Sequence, residues 1–141
     1  LVPNTSVVRT IGQRTRELTA EGRERFLAYS ARARDRALPF IERSNGGSGK
    51  AWPETLKKML DGVKNVDTVI GGHQPVAGMK DVAVFQQFLA DLHAQTAAAH
   101  KAGKTVEQAA ADKAWMNKYA GYNSTRLTAA VQAIYDELNG K

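Results

Sequence analysis

The sequence predicts a mainly α-helical protein, with about five helices and at most one short strand (residues 66–70). Two observations predict it. Most of the chain between its Gly and Pro breaks repeats apolar residues at helical spacing. Only one run, VDTVI at 66–70, is β-branched enough to read as a strand, and no other run offers it a convincing partner.

Residues 15–38 read as the first helix, with Leu18, Phe26, Tyr29 and Ala33 near one face. Pro39 stops it, because the residue before proline is pushed out of the helical region. Gly22 weakens the early turns by about 1 kcal/mol relative to alanine. SNGGSGK at 44–50 then has the composition of a flexible connector. A phosphate-cradling Walker loop would need a hydroxyl residue after Gly49-Lys50, and Ala51 stands there.

AWPETLKKMLDGV (51–63) opens the second helix, with Pro53 read as its first position and Glu54 in its first turn. Leu56, Met59, Leu60 and Val63 form its stripe, and Gly62 is its expected stop. The strand run follows, bounded by Gly71-Gly72. Residues 80–102 form the strongest helix, with Val82, Phe85, Phe88, Leu89, Leu92 and Thr96 in register and Gly103 closing it. Thr105 and Gln108 stand in capping-box spacing ahead of a short helix. WMNKYAGYNS (115–124) is an aromatic-rich link. The last helix, 125–138, carries Leu127, Val131, Ile134, Tyr135 and Leu138 as its stripe.

A chain of 141 residues suits one compact domain. Its 43% hydrophobic share leans on alanine, which buries little area, so the core is expected to be thin and helped by assembly. There is no cysteine, hence no disulfide and no thiolate metal site. A metal would take His, Asp, Glu or water, a set that suits zinc or manganese. No apolar run approaches the ~20 residues of a membrane helix, and no signal-peptide pattern is seen, so a cytoplasmic protein is expected.

The net charge of +6 is uneven. Residues 1–50 hold ten basic and five acidic groups, and nine of the ten bases are Arg. Residues 51–141 hold ten and nine, and nine of those bases are Lys. Such a break can mark a nucleic-acid arm. Interleaved acids and the scarcity of aromatics before Phe40 argue against nucleic acid. The other readings are a solvated Arg-rich helix, or a segment (1–37) with an origin different from 38–141.

From about Leu38 the sequence resembles the C-terminal part of metallo-β-lactamase-fold hydrolases. The resembling text is LPFIERSNGGSGKAWPETLKKMLDGVKNVDTVIGGHQPV, DVAVFQQFLADLHAQ, AGKTVEQAA and KYAGYNSTRLTAAVQAIYDELNGK. The resemblance implies an αββα sandwich with one or two metal ions, usually zinc. A metal-activated hydroxide would attack an ester, lactam, thioester or phosphoester, since a divalent ion brings the pKa of water towards neutrality. It also implies that His73, in the Gly-His turn, descends from a metal ligand.

The departures are large. The family's His-x-His-x-Asp-His cluster is absent, and no histidine precedes His73. The family's bridging aspartate is missing too; YSARARDRALPF stands at its place, and Asp35 lacks the preceding glycine. A complete sandwich is therefore not expected. Without its first half, Trp52, Phe85, Phe88, Leu89 and Trp115 would need new cover, so a homodimer with repacked helices is expected.

The candidate metal ligands are His73, His93 and His100, with Asp81, Asp91 and Glu107 as possible oxygen donors. His93 and His100 share one helix face, about 10.5 Å apart along the axis. One zinc ion, with bonds of about 2.0–2.1 Å, cannot take both directly. Their alternative reading is two surface histidines beside Gln86 and Lys104; for His73 it is a loop residue after a strand. The expected function is a small metal-dependent hydrolase, zinc-loaded, acting on small-molecule esters or phosphoesters. The alternatives are a non-enzymatic helical remnant that dimerises and a basic-arm binding protein.

Overall fold

A computed structural model describes residues 40–70, 76–119 and 121–141. The chain divides into two compact units, Leu1–Arg34 and Asp35–Lys141, and all described residues lie in the second. The predicted helix at 15–38, the Arg-rich segment 1–37 and His73 fall outside the described residues.

Among the described residues four helices carry the fold: α1 (Ala51–Gly62), α2 (Met79–Lys101), α3 (Val106–Ala111) and α4 (Leu127–Leu138). Two 3₁₀ turns, Arg43–Asn45 and Ala114–Lys118, join in. The mainly helical expectation holds. No described helix is long and apolar enough to cross a membrane.

The α2 stripe became the centre of the core. Val82, Phe88, Leu89, Leu92 and Thr96 are buried, at the spacing the sequence shows. Phe88, Leu89 and Leu92 share one core cluster with Leu127, Ala130, Val131, Ile134 and Tyr135 of α4. Phe88 and Ile134 are both 0% exposed. Each such side chain contributes about 1.5–3 kcal/mol of burial free energy. Leu138, the last residue of the α4 stripe, instead stays exposed. Gly103 ends α2 at φ 71°, a left-handed conformation that glycine adopts without penalty. At α3 the capping box is in place: the Gln108 N–H donates to Thr105 Oγ1 at 3.2 Å, and the Thr105 N–H to Gln108 Oε1 at 2.9 Å.

The aromatic link folds back onto α2. Tyr122 stacks on Phe88 at 4.4 Å, Tyr119 meets it edge-on at 5.1 Å, and Trp115 is tilted against it at 5.4 Å. Trp52 of α1 meets Phe85 edge-on at 5.8 Å. The aromatics expected to lack cover therefore find much of it within this one chain.

Three local expectations change. SNGGSGK is not a slack connector but a loop of defined contacts. Its Gly46 takes φ 78°, and a Cβ on Gly49 would lie 2.4 Å from Ile134 Cγ1. Helix α1 starts at Ala51, so Pro53 is its third residue and is buried. There its missing N–H still falls among the donors that lack an intrahelical acceptor. Finally, residues 66–70 form no strand. They contribute one antiparallel bridge, Val69 with Ala77. A strand needs a neighbour along its length, and the described residues supply it one pair.

Candidate functional site

Of the three candidate histidines, His73 lies outside the described residues, and His93 and His100 stand about two turns apart on α2. His100 is committed to structure. Its Nε2 lies 3.0 Å from Asn139 Oδ1, and its ring packs edge-on against Tyr135 at 4.9 Å. The Tyr135 hydroxyl donates to the Lys104 carbonyl at 2.9 Å, so His100, Tyr135 and Asn139 tie the end of α2 to the end of α4. Burial pushes the Tyr135 hydroxyl pKa up, which keeps it a neutral donor. His93 is half-buried two turns earlier on α2.

The possible oxygen ligands are also engaged. Asp81 Oδ2 accepts from the Gly78 N–H at 2.9 Å and so caps α2. Glu107 lies in the first turn of α3; its own backbone amide and the Thr105 hydroxyl hold its carboxyl below the usual value. Asp91 accepts from the Tyr119 hydroxyl, from Lys118 Nζ at 2.6 Å and from Gln87 Nε2 at 3.0 Å. Burial pushes the Asp91 pKa up. The hydrogen bonds from Lys118, Tyr119 and Gln87, with the Lys118 charge, more than offset that and hold it low. Burial and the neighbouring Asp91 carboxylate push the Tyr119 hydroxyl well above its usual range. This cluster pins the Ala114–Lys118 turn to α2.

Sequence reasoning missed a second carboxylate site. Glu137, near the end of α4, accepts from the Ser48 hydroxyl and from the Gly49 N–H at 2.8 Å, with the Lys50 N–H adding to it. Arg43 Nη1 stands 4.0 Å away. Burial raises the Glu137 pKa, but these donors and the Arg43 charge outweigh it and hold the carboxyl below its usual value. Ser48 Oγ also accepts from the Ala51 N–H at 2.8 Å, at the start of α1. The Gly-rich loop and the α1 N-terminus do form an anion cradle, and the anion is the chain's own Glu137. Ser48 and Glu137 lie 89 residues apart, so no local pattern announced the pair.

Among the described residues, no group of three His, Cys, Asp or Glu side chains is placed to hold a metal ion. His73, the first of the suggested ligands, lies outside the described residues. A depression of about 150 Å³ lies between α2 and α3 and is lined by Gln95, Ala98, Ala99, Ala102, Lys104, Ala109 and Asp112.

Several large apolar residues also remain open. Phe40, Val63, Ile70, Val76, Val84 and Leu138 are exposed. Ile70 (54%) and Val76 (59%) flank the Val69–Ala77 bridge. No family model matches the chain, and neither a curated protein nor a solved structure is significantly similar to it.

Proposed function

We propose that residues 40–141 serve as a helical pairing module, completed by a second copy of the chain. The observation that supports this is the pair of exposed apolar residues flanking the bridge, Ile70 and Val76, on a unit whose Phe88, Leu92, Leu127 and Ile134 are fully buried. Exposed apolar residues close together mark interaction sites more often than idle surface. Sedimentation equilibrium of the full chain over a hundredfold concentration range tests the reading. It predicts a mass rising to that of two chains. A mass that stays at one chain throughout contradicts it.

Metal-dependent hydrolysis of a small-molecule ester or phosphoester, the activity the resemblance implies, is the second reading. One observation favours it: two backbone hydrogen bonds of 2.8 and 2.9 Å between Val69 and Ala77 hold both ends of the segment whose sequence midpoint is His73. That fixes Val69 and Ala77, which stand four residues before and after the suggested ligand in sequence. Because the described donors do not make a metal set, no reaction step is assigned to them. Elemental analysis and a panel of ester and phosphoester substrates test this reading. It predicts stoichiometric zinc and hydrolysis, both lost in His73→Ala; metal-free protein without hydrolysis overturns it.

A further inference from the structure

The bridge also says which backbone groups are left over. The Val69 N–H donates to the Ala77 carbonyl at 2.8 Å, and the Ala77 N–H to the Val69 carbonyl at 2.9 Å. A residue that exchanges both bonds with one antiparallel neighbour spends both of its backbone groups on that side. The residues on either side of it turn theirs to the opposite edge. By that alternation Thr68 and Ile70, and then Val66, present N–H and C=O outward. None of the three makes a backbone–backbone hydrogen bond among the described residues, and Thr68 and Ile70 are exposed. Asn65, at φ 58°, turns the chain immediately before the run.

The side chains follow the same period. In an extended run Val66, Thr68 and Ile70 would share one face, and Asp67 and Val69 the other. The run holds no Lys and no Pro, the residues that commonly block an edge.

We propose that residues 66–70 pair antiparallel with the same residues of a second copy, about a two-fold axis at Thr68. This deepens the pairing reading above and rests on it. Thr68 then faces Thr68, and Val66 faces Ile70. The outward groups form about six backbone hydrogen bonds, two for each facing pair. Cross-strand pairs of β-branched residues stabilise such a ladder. They would also cover Ile70, which is 54% exposed.

Charge and side-chain packing together select this register. Moving the axis to Asp67 sets two carboxylates directly opposite, with Cα atoms about 4.5 Å apart, and like charges so placed destabilise. Moving it to Val69 sets Val66 against Gly72, which replaces a β-branched partner with a residue that has no side chain to pack. With the axis at Thr68, Asp67 faces Val69 and no like charges meet.

The test uses the full chain, which has no cysteine of its own. Under mild oxidation Thr68→Cys is expected to form a disulfide-linked dimer, because facing Cα atoms about 5.5 Å apart lie within disulfide range. Asp67→Cys is expected to link far less. Thr68→Pro removes the central N–H, which the monomer does not use, and so should weaken the dimer about tenfold or more. Its helical circular dichroism and its melting as a dilute monomer should stay unchanged. If the wild-type chain dimerises, yet Thr68→Cys does not link and folded Thr68→Pro dimerises normally, this pairing is wrong and the module reading stands. Preferential linking of Asp67→Cys overturns the register. A wild-type chain that stays monomeric at high concentration removes both.

Discussion

Helices α2 and α4 and the segment leading into α2 use similar side chains to opposite ends. Phe88 and Ile134 are wholly buried between helices that face each other. Ile70 and Val76, as apolar and only a few residues ahead of α2, remain more than half exposed. The difference lies in partners. A helix completes its backbone hydrogen bonds within itself and needs a neighbour only for its stripe. An extended run needs a neighbour for its backbone as well, and the described chain offers residues 66–70 one bridged pair. Burial here follows the supply of partners more than the hydrophobicity of the segment.

The largest effects should break the buried side of this comparison. Ile134→Ala is expected to cost about 2–5 kcal/mol in urea unfolding, because it leaves a cavity at the centre of the core. Ile70→Ala in dilute monomer should stay within about 0.5 kcal/mol of wild type, since its side chain has little cover to lose. Equal losses would erase the distinction.

Gly49→Ala comes next. Its Cβ would meet Ile134 Cγ1 at 2.4 Å. Because the loop is tied on both sides to Glu137, relief is limited, and a loss of about 1–3 kcal/mol is expected. A neutral result would show the loop to be as slack as its composition suggests.

Glu137 sharpens the same point through pH. Its folded carboxyl titrates below the usual value, as does that of Asp91. Stability from a depressed carboxylate is present above the unfolded value and is lost as pH falls through the folded one. Melting temperature should therefore drop as pH falls below about 4. Glu137→Gln should cost about 1–2 kcal/mol at neutral pH and flatten that drop. An unchanged acid slope in the variant would show that the cradle does not bind the carboxylate. The smallest effect belongs to Thr105→Ala, about 1 kcal/mol or less, read by unfolding, since it removes one side of the α3 capping box.

The parts legible in the sequence are those whose cause is local. The α2 stripe, the α4 stripe up to Tyr135, the Gly103 stop and the Thr105–Gln108 box each have local causes, and all are in place. What escaped depends on distant partners. SNGGSGK looked slack because the carboxylate that orders it lies 88 residues away from Gly49. Asp91 and His100 looked available as ligands because Tyr119 and Asn139, their partners, are 28 and 39 residues off. For the strand run composition was clear, but the number of neighbours it has is a tertiary fact. The resemblance to a metal-dependent hydrolase rests on the quoted residues alone, and its most specific residue, His73, lies outside the described structure.

Amide hydrogen exchange of the full chain at low and high protein concentration tests the central claim most directly, because it separates backbone groups satisfied within one copy from those that need a second. The account predicts that α2 and α4 amides are protected at every concentration. It predicts that the Val66, Thr68 and Ile70 amides gain protection as concentration rises, while Val69, already bonded to Ala77, changes least. Exchange at Val66, Thr68 and Ile70 that is independent of concentration would contradict it.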